Sequence, residues 1–290
     1  MISNEEKYNK YKPKKFLGQN FLVDENIAKK IVSSLEIKPD DIVIEIGPGQ
    51  GVLTKYISAQ TDKLIAVELD RSIHEKLSAE YSGKAKIIHK DFLKFDLEKD
   101  INEILDVNIS GKMKLKVIGN IPYNITTEIL FRLFDSADKM ESAVLMMQKE
   151  VAKRLTAQPN TKDYGILAVQ TQFSSAPKIL FNVPPTAFFP KPNVDSSIVR
   201  FSFNENKYRV ADKQLFKSLV RNSFSQRRKT MKNSLRNFCE ANNISLDEIE
   251  FDFSRRAESL SVQEFTELSD RITELKLSSR KEITSKSLRL

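Results

Sequence analysis

From Ile42 onward, short apolar runs rich in β-branched residues alternate with stretches whose apolar positions fall three or four residues apart. Ile42-Val43-Ile44-Glu45-Ile46 reads as a buried parallel strand. Lys63 to Leu69 reads as a second strand, Ala85 to His89 as a third, Leu115-Lys116-Val117-Ile118-Gly119 as a fourth and Ser142 to Met147 as a fifth. Between them, Leu53 with Ile57, then Ile73, Leu77 and Tyr81, then Ile129, Leu130, Leu133 and Phe134 keep helical spacing. Ahead of the first strand, Asp24 caps a helix with Ile27, Ile31, Val32 and Leu35 on one face. A helix from about Lys149 to Leu155 follows the fifth strand. The alternation predicts an α/β fold, a mostly parallel sheet with helices on both faces.

The pattern then changes. A helix near Tyr164 to Phe173 precedes two strands, about Ala176 to Phe181 and Ser196 to Phe203. In the second, Val199, Phe201 and Phe203 alternate with Arg200 and Ser202. The short proline-rich link between them, Val183 to Pro192, predicts an antiparallel hairpin at one edge of the sheet. Past Asn206 the β-branched runs stop. Leu215, Leu219 and Phe224, then Leu235 and Phe238, then Phe265, Leu268 and Ile272 mark amphipathic helices. The expected division is residues 1–206, with 1–15 a basic arm carrying Lys7, Lys10, Lys12, Lys14 and Lys15, and a smaller all-α domain at 207–290 with a basic tail.

The fourth strand runs into Asn120-Ile121-Pro122-Tyr123. Pro122 cannot donate to a ladder, so the strand ends there. Thr126 or Thr127 can cap the next helix. Asn120 and Tyr123 therefore sit on a tight turn at the carboxyl end of a strand, the edge where open α/β sheets bind ligands. The turn offers a side-chain acceptor, backbone carbonyls and a stacking ring, all of which suit an amino-purine. A plain strand-to-helix turn also uses Asn and Pro, so the rest of the chain has to decide.

Glycine is scarce, 8 residues, yet Gly47, Gly49 and Gly51 fall together directly after the first strand. Such placement marks backbone that approaches a ligand closely. The spacing is Gly-x-Gly-x-Gly rather than the Gly-x-Gly-x-x-Gly that wraps a pyrophosphate, which disfavours a nicotinamide dehydrogenase. Glu45 suits a cationic amino-acid moiety. Glu68, ending the second strand, can accept both ribose hydroxyls. Asp91, after the third strand, can accept from an adenine amino group. Adenine, ribose and a positively charged tail together describe S-adenosylmethionine.

Composition narrows the class further. The 290 residues are 40% hydrophobic, without a membrane-length apolar run or an apolar leader at the start. Cys239 is the sole cysteine, which excludes an internal disulfide and a cysteine-built zinc site. No metal is implied, and His74 and His89 read as structural. A cytoplasmic, monomeric protein with no membrane partner is expected. The net charge of +8 is weak evidence for nucleic acid by itself. The run Arg227-Arg228-Lys229, with Arg221, Lys232 and Arg236, is stronger, because clustered cations on a helix bind phosphates; the alternative is a solvated helix face.

At this point the chain resembles the ribosomal RNA adenine N6,N6-dimethyltransferases, most of all their bacterial small-subunit branch. The matching stretches are Phe16-Leu17-Gly18-Gln19-Asn20-Phe21-Leu22, Glu45-Ile46-Gly47-Pro48-Gly49-Gln50-Gly51, Glu68-Leu69-Asp70, Asn120 to Tyr123, Phe188-Phe189-Pro190-Lys191-Pro192-Asn193-Val194-Asp195-Ser196, and Ser225-Gln226-Arg227-Arg228-Lys229-Thr230. The resemblance implies a Rossmann-like class I methyltransferase sheet. It also implies an S-adenosylmethionine site lined by Asn20, Leu22, Gly47, Glu68, Asp91 and Asn120, with Gly49 in the glycine turn. The implied substrate is small-subunit ribosomal RNA or a small-subunit precursor, dimethylated at two neighbouring adenosines in a hairpin near its 3′ end. Relatives that methylate large-subunit RNA and confer resistance, and relatives recruited as non-catalytic assembly or transcription factors, remain alternatives.

Asn120 and the Ile121 carbonyl would accept from the two N6 hydrogens, with Pro122 shaping the turn. Tyr123 would stack on one face of the base. The second ring is Phe188 or its neighbour Phe189, with Phe188 the expected one.

Overall fold

The computed structural model describes residues 14, 18–106, 115–205 and 207–287, with side chains as far as 278. Lys7, Lys10, Lys12 and Lys15 of the expected basic arm, the pair Phe16-Leu17 and the side chains of the basic tail from 279 lie outside the described residues.

The chain divides into two compact units, Met1–Ala152 with Ser175–Glu205, and Lys153–Ser174 with Asn206–Leu290. The sequence reading places 1–206 in one domain. The structure differs in assigning Lys153–Ser174 to the helical unit. Tyr164, Ala168, Val169 and Phe173 bury their side chains in one core with Leu215, Phe216, Leu219 and Phe265.

The first unit runs β1 (Phe21–Leu22), α1 (Glu25–Ser33), β2 (Ile42–Ile46), α2 (Thr54–Ile57), β3 (Leu64–Glu68), α3 (Arg71–Glu80), β4 (Lys86–His89), α4 (Lys99–Leu105), β5 (Leu115–Asn120), α5 (Thr126–Asp135) and β6 (Met140–Gln148), then the start of α6 (Lys149–Leu155), whose last residues belong to the second unit. After an excursion through the second unit it resumes with β7 (Ala176–Val183), β8 (Phe188–Phe189) and β9 (Ser196–Ser202). The main sheet has the order β4-β3-β2-β5-β6-β9-β7. The β4-β3, β3-β2, β2-β5 and β5-β6 pairs are parallel, and β9 pairs antiparallel with β6 and β7. The β-branched runs thus form a parallel sheet, and the two strands flanking the proline loop form the expected antiparallel edge.

Strand order reverses at β2: the chain steps outward through β3 and β4, then returns to β5 on the other side of β2. Gly119 makes this closure tight, because a Cβ there would meet the Ile46 carbonyl oxygen at 2.7 Å. One face of the sheet packs Val43, Leu64, Ile118 and Val144 against Ile31, Val32 and Leu35 from α1 and just beyond it. On the opposite face Phe134 of α5 meets Phe201 of β9, ring centroids 6.0 Å apart. Asp24 caps α1 as expected, accepting from the backbone N–H of Asn26 at 2.9 Å and Ile27 at 3.0 Å. Thr126 does not cap α5; a single 3₁₀ turn, Tyr123–Ile125, precedes it, and the Thr126 hydroxyl donates to the Pro122 carbonyl at 3.1 Å.

At the amino-terminal end of the sheet, far along β5 from Asn120, Lys116 is 2% exposed. A buried ammonium needs partners. It has Asp41 at 2.8 Å, Glu141 at 3.3 Å and the Glu36 carbonyl at 2.6 Å.

The second unit comprises α7 (Ile166–Ser174), α8 (Lys213–Ser223), α9 (Met231–Ser234), α10 (Arg236–Asn242) and α11 (Val262–Ser287). Leu235, Phe238, Leu268 and Ile272, read from the sequence as apolar faces, all lie in its core. Among the described residues no helix is long and apolar enough to cross a membrane.

Candidate active site

The carboxyl ends of β2, β3 and β5 open onto a cavity of about 260 Å³, at the switch point where strand order reverses. Asn20, Leu22, Gly47, Gly49, Glu68, Asp91, Asn120, Ile121, Pro122 and Tyr123 all line it. The structure therefore gathers residues spread over a hundred positions of sequence into one pocket.

Each wall has a local cause. Gly47 leaves β2 with φ +62°, and a Cβ there would meet nothing within 4 Å, so the glycine turn leaves open room beside the cavity. Glu68 is 6% exposed and accepts from the backbone N–H of Gly49 at 3.2 Å and of Asp70 at 2.8 Å. Burial raises its carboxyl above the usual range, against the pull of those two bonds. Asp91 caps a short 3₁₀ turn, its Oδ1 accepting from Leu93 N–H at 2.9 Å. Asn120 Nδ2 donates to the Asn20 carbonyl at 2.7 Å. That bond fixes the amide and leaves Oδ1 as the acceptor the side chain presents.

Glu45 lies deeper. It is 1% exposed and accepts from the Thr54 hydroxyl at 2.7 Å. Burial pushes its carboxyl up to about 8; the Thr54 bond opposes the shift and the charge on Glu68 adds to it. Burial thus keeps the Glu45 carboxyl largely protonated at neutral pH, and a cation beside it would favour its charged form.

Phe188 is 4% exposed and packs in one core with Leu22 and Val183; it is not among the residues that line the cavity. The cause is strand alternation: β8 pairs antiparallel with β1, with Phe188 opposite Leu22 and Phe189 opposite Phe21. Phe188 shares its core with Leu22, which also borders the cavity, and the half-buried Phe189 lies on the other side of the strand.

Sequence reasoning assigned no role to Ser196, yet its hydroxyl lies 2.6 Å from that of Tyr123. No local signal announces that contact, which spans 73 residues.

Arg221, Arg227, Arg228, Lys229, Lys232 and Arg236 are all exposed. They differ in what engages them. Arg227-Arg228-Lys229 sits on turns between α8 and α9, not on the helix the sequence suggested. Arg227 is a clamp: it pairs with Glu258 at 3.2 Å, and donates to the carbonyls of Lys162 and, at 3.3 Å, Tyr164. Lys232 lies 4.0 Å from the exposed Asp247. Among the described residues no hydrogen bond or ion pair engages the side chains of Arg221, Arg228, Lys229 or Arg236. Lys14 is also engaged, donating to Asp70 at 2.9 Å.

A parallel sheet with a glycine turn at its switch point, a carboxyl group ending the next strand and an Asn-Ile-Pro-Tyr turn opposite defines an α/β protein with its cavity at the switch point, where such sheets bind ligands. Residues 10–274 match the family model described as ribosomal RNA adenine dimethylase, and the chain belongs to that family. It is 41% identical over 263 residues to a ribosomal RNA small subunit methyltransferase A of Francisella tularensis subsp. novicida, covering 90% of this chain and 98% of that one. Among solved structures it resembles a dimethyladenosine transferase from Plasmodium falciparum, with TM-score 0.67, 25% identity, and 86% and 95% of the two chains covered. It also resembles the 23S rRNA methyltransferase ErmE, with TM-score 0.62, 25% identity, and 88% and 100% covered. The first unit thus carries the Rossmann-like sheet of rRNA methyltransferases, and the chain is an rRNA adenine dimethyltransferase.

Proposed function

We propose that this protein uses S-adenosylmethionine to dimethylate N6 of two adjacent adenosines in a hairpin near the 3′ end of small-subunit rRNA, during ribosome assembly in the cytoplasm. The observation that carries the reading is Asn120, held by its Nδ2 so that Oδ1 is the acceptor at the cavity wall. The 41% identity across nearly the whole of a small-subunit methyltransferase supports the small-subunit branch.

The lining fits the cofactor. Glu68 has lone pairs left for ribose hydroxyls after its two backbone bonds. Asp91 uses Oδ1 on Leu93 and keeps Oδ2 for an amino group. Glu45 gives the cationic amino-acid end a buried counter-charge. When bound, S-adenosylmethionine supplies an electrophilic methyl group.

The exocyclic nitrogen of adenine is a weak nucleophile because its lone pair conjugates with the ring. Asn120 Oδ1 and the Ile121 carbonyl would accept its two hydrogens and favour a pyramidal nitrogen with an available lone pair. Such placed polar groups are worth about 10²–10³ in rate. Tyr123 stacks on the base once it has left its own stack, a contact worth roughly 1–3 kcal/mol. The proton leaves after transfer, so no general base is required beforehand. Arg221, Arg228, Lys229 and Arg236 meet RNA phosphates.

The test is to incubate the protein with labelled S-adenosylmethionine and under-methylated small or large subunits, then map the labelled nucleotide. Label in adenosines of small-subunit RNA is expected. Label confined to large-subunit RNA would place the protein in the resistance branch, and no label at all would leave a binding role only.

A further inference from the structure

We propose that Ser196 is a positioning residue for the methylation reaction: its buried hydroxyl anchors the Tyr123 ring in the attitude that receives the target adenine. The inference rests on the reading of Tyr123 as the stacking ring.

Tyr123 is held at both ends. At the backbone end, Ile121 N–H donates to the Met146 carbonyl at 3.2 Å and the Thr126 hydroxyl to the Pro122 carbonyl at 3.1 Å. At the far end the phenol oxygen lies 2.6 Å from Ser196 Oγ. Ser196 is itself fixed. It is 0% exposed and opens β9, in register with Gln148 of β6 and Val183 of β7. The preceding Asp195 is held twice by Lys149, through Nζ at 3.1 Å and through its backbone N–H at 3.0 Å.

Because β9 runs antiparallel to β6, its first residue lies at the carboxyl edge of the parallel strands, beside the Asn120 turn. Stacking alone needs only a ring, and phenylalanine would serve. The hydroxyl adds a second attachment point, which orders the side chain before the base arrives. An unanchored ring must be ordered during binding, at the expense of affinity for the transition state. The anchor also links the proline loop that ends at Asp195 to the catalytic turn, two segments remote in sequence.

The test measures kcat/KM for under-methylated small subunits in the wild type, Ser196→Ala, Tyr123→Phe, the double variant and Tyr123→Ala. Cofactor affinity is read by calorimetry and folding by melting temperature. Each single loss of the hydroxyl should lower kcat/KM about three- to tenfold, the scale of one hydrogen bond. Cofactor affinity should stay unchanged, and the double variant should be no worse than either single one. Tyr123→Phe probes the same bond from the cavity side, so the test survives if Ser196→Ala folds poorly. Additive losses would show that Ser196 acts through the packing of β9, and wild-type kcat/KM in both hydroxyl variants would show that the bond does nothing; either overturns the inference. Wild-type kcat/KM in Tyr123→Ala would instead overturn the stacking role itself.

Discussion

Glu45→Gln should stabilise the cofactor-free protein, and by more as the pH rises. The carboxyl stands at about 8 in the fold against an ordinary 4.5, chiefly because burial disfavours its charge. The folded state therefore holds a proton that the unfolded state releases, so stability falls as pH rises from 4.5 towards 8 and levels off above that. At about 1.4 kcal/mol per pKa unit the full window amounts to roughly 3–5 kcal/mol. Glutamine has no charge to lose and still accepts from Thr54, whose hydroxyl lies 2.7 Å from Glu45 Oε2. Urea unfolding of both proteins across the window gives the difference in stability, in which the titrating groups not coupled to Glu45 cancel. The variant should gain on the wild type by roughly 3–5 kcal/mol between about pH 5 and about pH 8. A gap that stays constant with pH would refute the buried, high-pKa carboxylate and its part in drawing a cation to the cavity. Saturating S-adenosylmethionine should close the gap, because a cation beside Glu45 favours its charged form.

Glu68→Ala and Asn120→Ala should separate the two arms of the site: the first weakens cofactor binding in calorimetry, while the second lowers kcat by about 10²–10³ with RNA affinity little changed. Lys116→Met leaves Asp41, 0% exposed, without its ammonium partner and should cost about 3–5 kcal/mol in urea unfolding, with no shift in cofactor affinity. Arg228→Ala with Lys229→Ala should flatten the salt dependence of RNA binding by roughly one unit of slope for each phosphate no longer neutralised. Arg227→Ala should instead lower stability by about 1–2 kcal/mol, since it removes the clamp on Glu258 and on the carbonyls of Lys162 and Tyr164.

The parallel strands were legible because each carries a short apolar run, β-branched in most of them, and the cavity was legible because several of its lining residues lie at the ends of those strands. What stayed hidden depended on partners remote in the chain. Strands of two residues, Phe21–Leu22 and Phe188–Phe189, show no period, so nothing in the sequence tells which of the adjacent phenylalanines turns inward. The apolar face of Tyr164 to Phe173 is evident, but not that it packs with Leu215 and Phe265 rather than on the sheet. Lys116 looks like an interruption in an apolar run until Asp41 and Glu141 come alongside. Arg227 and Arg228 are neighbours of the same type. Only the fold shows that Arg227 is a clamp, while Arg228 has no partner among the described residues.

In the proposed reaction two acceptors, Asn120 Oδ1 and the Ile121 carbonyl, hold N6 while it is methylated twice. After the first transfer the nitrogen keeps one hydrogen, so only one acceptor can still be satisfied. Asn120 Oδ1 is fixed through its own amide, whereas the Ile121 carbonyl belongs to a turn that can shift to admit a methyl group. Mass spectrometry of nucleosides from a time course on under-methylated small subunits, with cofactor in excess, tests this directly. N6,N6-Dimethyladenosine is expected as the end product, with the monomethyl form rising and then vanishing. Monomethyladenosine that accumulates and persists would contradict it.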